Sequence, residues 1–316
     1  MSKVKSKFVF ICAAGHSGST LLDLLLGAHP GGMSVGEITQ LPKNISLDSV
    51  CSCGEHLSKC EFWSRLVTEF GHSIDINLWK DPYSLNLGFI KAGHEIDPQH
   101  QTRFRMMLRK LTFGAEYAHF RWRTPAPPFL HRALKQGTEN KRKLFQFILD
   151  KTSYDFVVDS SKHYLGALNL HQAAPDDTRV ILLLRDGRAV FNSGISRGMS
   201  PKSALNAWIR HCRRSSRILT KHLPESALLT VHYEDLATDP ESQLKQICEF
   251  LGIDYQPQML EFGSAESHIA NGNRMRFVQS SEIKLDERWR EQLSAPMLRF
   301  FERHAGELNR ELGYKD

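Results

Sequence analysis

Four short apolar runs set the hydrophobic pattern of this chain. Polar or turn-forming residues bound each run, as is typical of buried strands. The predicted strands are residues 8–12, 156–158, 180–184 and 227–231. Helical patterns lie between these runs. This alternation predicts an α/β fold, in which helices form layers on a mostly parallel central sheet.

Two of the helices between the runs have clear start signals. Asp239 and Pro240 suit the cap and the first turn of a helix, and Gly252 suits its end. Ser200 and Pro201 give the same start signal for a second helix, which we expect to run to residue 219.

Residues from about 40 to 150 have a different pattern. They contain turn-forming residues, a basic stretch and a proline-rich break at residues 124–128. We interpret them as a helical insert between the first two predicted strands, and we expect this insert to cover the functional site as a lid. The whole chain, residues 1–316, is predicted to form a single domain. The basic stretch is either a solvated helix face or a site for an acidic acceptor. It comprises Arg103, Arg105, Arg109 and Lys110.

Composition narrows the class of protein. The 316 residues are 41% hydrophobic, enough for a large core, and the six cysteines are too dispersed for a disulfide scaffold. No apolar run approaches the roughly 20 residues of a membrane span. The start of the chain lacks the pattern of a secretory signal, so we expect a cytoplasmic protein. The net charge of +6 suits an anionic ligand. The sequence shows no basic run or RNA-binding signature, so we do not expect nucleic acid as a partner.

A small-residue loop follows the first apolar run and leads into a leucine-rich helix. Its candidate anion-binding residues are Gly15, His16, Ser17, Gly18, Ser19 and Thr20. A strand, a glycine loop and a helix together form a phosphate cradle, because N–H groups at the helix start point at the anion and the helix dipole favours its charge. No lysine precedes the hydroxyl pair, so the loop differs from the triphosphate-binding GxxxxGK[ST] pattern. This difference predicts a phosphate ester other than the triphosphate of ATP.

A second candidate phosphate site follows the third predicted strand. Arg185 comes directly after this strand, at the edge where α/β folds place their ligands, and Ser193 lies eight positions later in the next helix. Arginine offers a bidentate fork to a phosphate, and serine adds a hydroxyl donor.

Together the two motifs resemble the sulfotransferases that use 3′-phosphoadenosine 5′-phosphosulfate (PAPS). The closest pattern is that of the carbohydrate- and tyrosine-modifying and bacterial branches. Three later segments also resemble family elements: a strand and helix, a loop closing over the nucleotide, and a C-terminal helix. These segments are residues 232–252, 268–277 and 287–293. The resemblance implies a P-loop-like three-layer fold in which the glycine loop holds the 5′-phosphosulfate, while Arg185 and Ser193 hold the 3′-phosphate.

The chain departs from the family at His16, where related proteins carry Lys or Arg. Imidazole can donate to a phosphate oxygen but is mostly neutral at pH 7 unless an anion raises its pKa. Lys162 follows the second predicted strand, at a place where the carbohydrate- and tyrosine-modifying branches carry a functional lysine. We therefore expect it to supply positive charge beside His16.

Glu37 is the candidate general base. An acceptor hydroxyl must lose its proton as it attacks sulfur, and a carboxylate within hydrogen-bond reach can take it. Glu37 follows a proline-containing turn, as the glutamate base of the carbohydrate-modifying branch does. The alternative is an exposed turn glutamate. Asp159 and His163 are reserve candidates because they lie close to Lys162 in the sequence.

A late glycine-containing loop supplies further candidates. We expect Asn273 and Arg274 to contact a ligand phosphate, the alternative being a mobile basic loop, with Arg276 nearby. Trp289 is predicted to be a core residue rather than a stacking partner for adenine.

Cys51, Cys53 and Cys60, with His56 and His72 nearby, raise the question of zinc. The spacing is C-x-C-x6-C rather than the paired C-x-x-C of structural zinc sites. This spacing favours small hydrophobic packing or a labile disulfide. Three further cysteines fall in predicted elements and are expected in the core. They are Cys12, Cys212 and Cys248.

The sequence thus predicts a PAPS-dependent sulfotransferase that needs no metal and releases 3′-phosphoadenosine 5′-phosphate (PAP). Its acceptor would be a small molecule, lipid or carbohydrate, and the oligomeric state is left open. One alternative is a P-loop kinase or NTPase, in which Asp159 would orient magnesium. A second is a nucleotide-binding module without catalysis, suggested by His16 at the usual cation position.

Overall fold

A parallel sheet lies at the centre of the described part of the chain. The computed structural model describes residues 7–88, 103–122 and 128–315. Within these residues one sheet has five strands, in the order β2-β3-β1-β4-β5, and all neighbouring strands are parallel. The strands are β1 (Phe8–Ala13), β2 (Gly32–Ser34), β3 (Phe156–Lys162), β4 (Thr178–Leu184) and β5 (Leu228–His232).

Helices connect the strands and cover both faces of the sheet. They are α1 (Ser19–Gly27), α2 (Leu41–Ser46), α3 (Glu61–Ser73), α4 (Arg103–Trp122), α5 (Pro128–Lys151), α6 (Tyr164–Ala173), α7 (Gly187–Ser196), α8 (Pro201–His222), α9 (Tyr233–Thr238), α10 (Pro240–Leu251), α11 (Trp289–Gln292) and α12 (Ala295–Glu311). Short 3₁₀ turns lie at Ile38–Gln40, Pro82–Ser84, Glu225–Ala227, Pro257–Glu261 and Arg274–Phe277. The predicted α/β fold is confirmed.

The central strand β1 separates two hydrophobic cores. Successive side chains of a strand point to opposite faces, and every residue of β1 is buried. Phe8, Phe10 and Cys12 enter one core, and Val9, Ile11 and Ala13 enter the other. Both faces are therefore covered, which explains why the strand appears in the sequence as a continuous apolar run.

The strand predictions were right in position but incomplete. The strand β2 was not predicted, because its three residues are too few to show an alternating pattern. It pairs with β3. The fourth predicted strand begins at Leu228 rather than 227. It lies at the sheet edge, where only Val231 is buried.

The two predicted helix starts are confirmed. Asp239 caps α10 by accepting from the Ser242 N–H at 3.2 Å, and Gly252 ends this helix in the left-handed conformation. Ser200 accepts from the Ser203 N–H at 3.3 Å at the start of α8, which ends at His222, three residues beyond the predicted end. Each cap satisfies a helix N–H that has no partner within the helix.

The predicted insert contains α2 to α5, between β2 and β3. Residues 89–102 and most of the predicted break at residues 124–128 lie outside the described residues, as do the side chains of Arg103, Arg105 and Arg109 and the first six residues of the chain. Lys110 is exposed. The lid function of the insert stays a prediction. No helix within the described residues has the length and apolar character needed to cross a membrane.

Candidate functional site

The predicted cradle is the loop between β1 and α1. It turns through two residues with positive φ, His16 at 68° and Gly18 at 83°, and Gly18 caps the nine-residue helix α1. Among the described residues no side chain caps this helix, which leaves N–H groups at its start available to an anion. Ser17 and Ser19 are buried, whereas Gly15 is exposed and Thr20 is half-buried.

Tyr233 supports the cradle from below. A Cβ atom at Gly18 would lie 2.3 Å from the Tyr233 ring, so only glycine fits this position. The guanidinium of Arg185 lies over the same ring, 4.3 Å from its centroid. The tyrosine ring thus joins the start of α1 to the arginine that follows β4. This role was not predicted from the sequence, because Tyr233 begins α9 and is distant from both motifs along the chain.

Arg185 lies against the loop, with two backbone oxygens and one carboxylate as partners. It donates to the carbonyl oxygen of His16 at 2.9 Å and to that of Asp286 at 2.8 Å. Its Nη2 also lies 3.1 Å from Asp286 Oδ2, and the arginine side chain is only 7% exposed. The Arg288 guanidinium, and after it that of Arg185, holds the pKa of Asp286 below its usual range. The Asp286 carboxylate is therefore a negatively charged partner of Arg185, the arginine of the second phosphate motif.

The helix after Arg185 carries Ser193. Asp186 caps this helix, α7, by accepting from the Arg188 N–H at 2.8 Å. Asn309 accepts from the Gly187 N–H at 2.8 Å and donates to Asp186 at 3.2 Å, which fixes the start of α7. Ser193 lies in the second half of this helix and is half-buried.

Glu37 and Lys162 form an ion pair, in which Lys162 Nζ donates to Glu37 Oε1. Their side chains are 18% and 24% exposed, respectively, so solvent still reaches both. Gln40 donates to the second carboxylate oxygen, Oε2, at 2.6 Å. The carboxylate is therefore held at both oxygens while it stays accessible.

The carboxyl ends of the neighbouring strands β1 and β3 bring this pair beside the loop. Lys162 is the last residue of β3, pairs in register with Cys12 of β1 and has a positive φ of 70°. Glu37 comes three residues after β2, and its N–H donates to the Asn271 carbonyl at 3.3 Å. Because β1 lies between β3 and β4, the ion pair lies on one side of the loop and Arg185 on the other. Ligands of parallel α/β sheets bind at such a strand edge.

The two reserve bases are poorly suited to proton transfer. Asp159 is fully buried, accepts from Lys141 Nζ at 2.7 Å and accepts from the Ser161 N–H at 2.8 Å, so both of its oxygens are occupied. Burial, followed by His211 and Lys141, lowers the pKa of His163 to about 3. A group with that pKa takes up protons weakly at pH 7. Glu37 is the better placed carboxylate.

The late loop lies against the Glu37 segment. Asn273 is exposed and accepts from the Met275 N–H at 3.4 Å, and Arg274 is exposed beside it. Arg276 instead fastens this loop, donating to the Gly272 carbonyl at 2.7 Å and to the Val50 carbonyl at 3.2 Å. Phosphate binding by Asn273 and Arg274 stays a prediction.

Trp289 is a core residue, as predicted. It is 7% exposed, within a hydrophobic cluster that includes Trp208 and Phe301. Arg188 and Arg290 lie over its ring, 4.4 and 4.6 Å from the centroid. Cys12, Cys212 and Cys248 are also buried, as predicted.

Comparison with known proteins identifies the family. The sequence model of the sulfotransferase family matches residues 90–257, just over half of the chain. The chain belongs to the sulfotransferase family. This match begins after the glycine loop and Glu37, but it includes Lys162, Arg185 and Ser193.

One curated sulfotransferase matches a part of this chain. Protein-tyrosine sulfotransferase A of Caenorhabditis elegans is 31% identical over 102 residues, which cover 30% of this sulfotransferase and 27% of that protein. The match spans about a quarter of the length of the curated relative.

Two solved structures share the fold of this sulfotransferase. The sulfotransferase domain of the Synechococcus PCC 7002 olefin synthase has a TM-score of 0.57 at 19% identity, covering 99% of this chain and 98% of that one. The sulfotransferase domain from the curacin biosynthetic pathway has a TM-score of 0.50 at 18% identity, covering 96% of this chain and 97% of that one. At these identities the likeness concerns the fold.

Proposed function

We propose that this sulfotransferase moves a sulfonyl group from PAPS to an acceptor hydroxyl or amine by in-line transfer. The observation that carries the proposal is the order of the candidate groups at the carboxyl ends of β3, β1 and β4. The cradle ends β1, the Glu37–Lys162 pair lies beside it at the end of β3, and Arg185 lies on its other side after β4. One nucleotide with a phosphate at each end fits this order of groups.

The cradle would hold the 5′-phosphosulfate. N–H groups at the start of α1 would face this anion. Thr20 and His16 of the same loop would add a hydroxyl and an imidazole. Preorganised donors of this kind typically lower a barrier by a few kcal/mol each, on the order of 3 kcal/mol. At the other end, the Arg185 fork and the Ser193 hydroxyl would bind the 3′-phosphate.

Glu37 would take the proton of the acceptor. As the acceptor oxygen attacks sulfur, a new O–S bond forms, the bond from sulfur to the bridging phosphate oxygen breaks, and PAP leaves with that electron pair. Before the donor binds, the Lys162 ammonium group pairs with the Glu37 carboxylate. This ammonium group can then turn to the leaving oxygen, where negative charge develops.

The same residues count against the kinase alternative. That alternative rested on Asp159 as a residue orienting magnesium, but both oxygens of Asp159 are bonded within the protein. In the proposed scheme His16, Lys162 and the backbone N–H groups supply the positive charge, so transfer uses no metal ion. The acceptor class is proposed as a small molecule, a lipid or a carbohydrate. The tyrosine sulfotransferase among the relatives adds peptide tyrosine to the acceptors worth testing.

The proposal is tested by donor turnover without Mg²⁺. Purified protein is mixed with PAPS and a panel of phenols, tyrosine peptides, sugars and hydroxylated lipids, and PAP formation is measured. We expect transfer to at least one acceptor, with the rate falling about 100-fold or more in Glu37→Gln while PAP affinity is kept. Glu55→Gln is the matched control, since Glu55 is exposed on a nearby turn. PAP binding without transfer to any acceptor would indicate a binding module, and Mg²⁺-dependent ATP turnover would indicate a kinase.

A further inference from the structure

Three cysteines and one histidine come together beside the late loop. The four candidate ligand atoms of Cys51, Cys53, Cys60 and His268 all lie within 4.8 Å of one another. Cys53 Sγ is 3.7 Å from Cys60 Sγ, and His268 Nδ1 is 3.4 Å from Cys60 Sγ and 3.9 Å from Cys51 Sγ. We propose that these four residues bind one Zn²⁺ ion, which joins residues 51–60 to the late loop.

The distances between ligand atoms match a tetrahedral metal site. With metal–sulfur bonds of about 2.3 Å and metal–nitrogen bonds of about 2.0–2.1 Å, the ligand atoms of a tetrahedron lie about 3.5–3.8 Å apart. The three separations scatter around this range. They are far longer than the sulfur–sulfur bond of a disulfide, about 2.05 Å. All six cysteines are reduced.

The backbone around the cysteines is built to present them together. The Gly54 N–H donates to the Cys51 carbonyl at 2.9 Å in a tight turn, and Gly54 has a positive φ of 94°. This turn places Cys51 and Cys53 side by side. Cys60 directly precedes α3 as its cap residue, so the start of this helix fixes its position.

His268 is oriented as a metal ligand. Its Nδ1 faces the sulfur atoms, while Nε2 lies 3.1 Å from a carboxylate oxygen of Glu266. A carboxylate on the second ring nitrogen is the usual partner of a zinc-bound histidine, because it fixes the ring orientation and the tautomer. Phe62 stacks on the imidazole, with ring centroids 5.2 Å apart and planes inclined by 10°.

The donor set favours zinc and a structural role. Thiolates with one imidazole suit Zn²⁺ in tetrahedral geometry, and four protein ligands leave no open position for catalysis. Cys51 and Cys60 are buried, whereas Cys53 is exposed, so the site lies just below the surface with two of its sulfur atoms shielded from solvent. Ser52, between two of the cysteines, accepts from the Ile269 N–H at 2.7 Å and donates to the Ser267 carbonyl at 2.7 Å. The ion would thus hold the segment whose Asn271 carbonyl contacts Glu37.

Metal analysis of the full chain tests the proposal. Protein expressed with added zinc and purified without chelators is analysed for zinc by mass spectrometry. We expect about one zinc ion per chain in the wild type and in the control Cys212→Ser, whose sulfur is buried elsewhere. Cys60→Ser and His268→Ala should lose most of it. Wild type without zinc, or zinc unchanged in Cys60→Ser, would overturn the proposal.

A second measurement on the wild type avoids variants that fail to fold. Replacing the bound metal with Co²⁺ should give the intense visible bands of a tetrahedral ion and the near-ultraviolet charge-transfer band of cobalt–thiolate bonds. Only the weak bands of octahedral cobalt, or recovery of two of the three cysteines as a disulfide after alkylation, would contradict the site. None of these results depends on PAPS turnover, so this proposal and the proposed function can fail separately.

Discussion

Arg185 forms an ion pair with Asp286, whose Oδ2 lies 3.1 Å from Nη2 of the guanidinium. The same nitrogen donates to the Asp286 backbone carbonyl, and the second terminal nitrogen, Nη1, donates to the His16 carbonyl. In the proposed complex a 3′-phosphate binds this guanidinium. The carboxylate of Asp286 must then give way to the phosphate or repel it.

Removing this carboxylate should therefore strengthen nucleotide binding. We expect Asp286→Asn to bind PAP about tenfold more tightly, since one like-charge contact with the 3′-phosphate is lost. Isothermal titration calorimetry measures the change. The neighbouring Glu287→Gln is the control, because Glu287 pairs with Arg290 at the surface. Weaker PAP binding by Asp286→Asn would mean that Asp286 instead positions Arg185 for the phosphate.

A methyl group at Gly18 should destabilise the cradle. Its Cβ would meet the Tyr233 ring at 2.3 Å, and the residue has a φ of 83°. Gly198→Ala is the matched control, with a φ of 85° and no atom within 4 Å of the new Cβ. We expect the control to lose about 1–2 kcal/mol from left-handed strain, and Gly18→Ala to lose a further ~1–3 kcal/mol through overpacking. Chemical denaturation measures both; equal losses would show that the tyrosine ring moves aside freely.

Asp23 should make stability depend on pH. This carboxyl is buried in α1, accepts from the Ser160 hydroxyl at 3.1 Å, and burial raises its pKa to about 7. The folded state therefore keeps a proton that the unfolded chain releases near pH 4. The contribution of Asp23 to the free energy of unfolding is full below that pH and falls by up to about 1.4 kcal/mol per pH unit towards pH 7.

Asp23→Asn should remove this dependence. The free energy of unfolding of the variant, minus that of the wild type, should rise steadily from pH 4.5 to 7 in urea titrations. Glu116, whose pKa burial raises to about 8, adds a separate slope that the substitution leaves unchanged. A constant difference between the two proteins across this range would show that Asp23 is ionised in the folded state.

The sequence was informative where the signal is local. The apolar run of β1, the small-residue loop and the leucines of α1 are contiguous, so their order alone predicts a strand, a cradle and a helix. The caps Asp239 and Ser200 were equally clear, because a capping side chain bonds to an N–H within three residues. Arg185 directly follows a buried strand, which places it at the sheet edge.

Contacts between segments distant along the chain could not be predicted from the sequence pattern. Asp286 lies 101 residues after Arg185, and Glu37 lies 125 residues before Lys162, yet each pair is in contact. Spacing shows that a side chain follows a strand, but the loops decide which carboxylate reaches it. The cysteine cluster illustrates the same limit. Its histidine is His268, 208 residues from Cys60, rather than the nearby His56 or His72.

The 3′-phosphate is the feature that distinguishes the proposed donor from other adenine nucleotides. In the proposed complex the Arg185 fork and the Ser193 hydroxyl bind it. Charge-assisted hydrogen bonds to a phosphate contribute about 1.5–3 kcal/mol each. Together they should give PAP an affinity at least about 100-fold above that of adenosine 5′-phosphate. Ser193→Ala should reduce this ratio about tenfold, whereas Ser196→Ala, an exposed serine on the same helix, should leave it unchanged.

Calorimetric titration of the wild-type chain with PAP and with adenosine 5′-phosphate, without Mg²⁺, tests the central claim most directly. If one nucleotide binds both the cradle and the Arg185–Ser193 site, PAP should bind much more tightly than adenosine 5′-phosphate. The ratio of the two affinities should be smaller in Ser193→Ala. Equal affinities for the two nucleotides, or a preference untouched by Ser193→Ala, would contradict this claim.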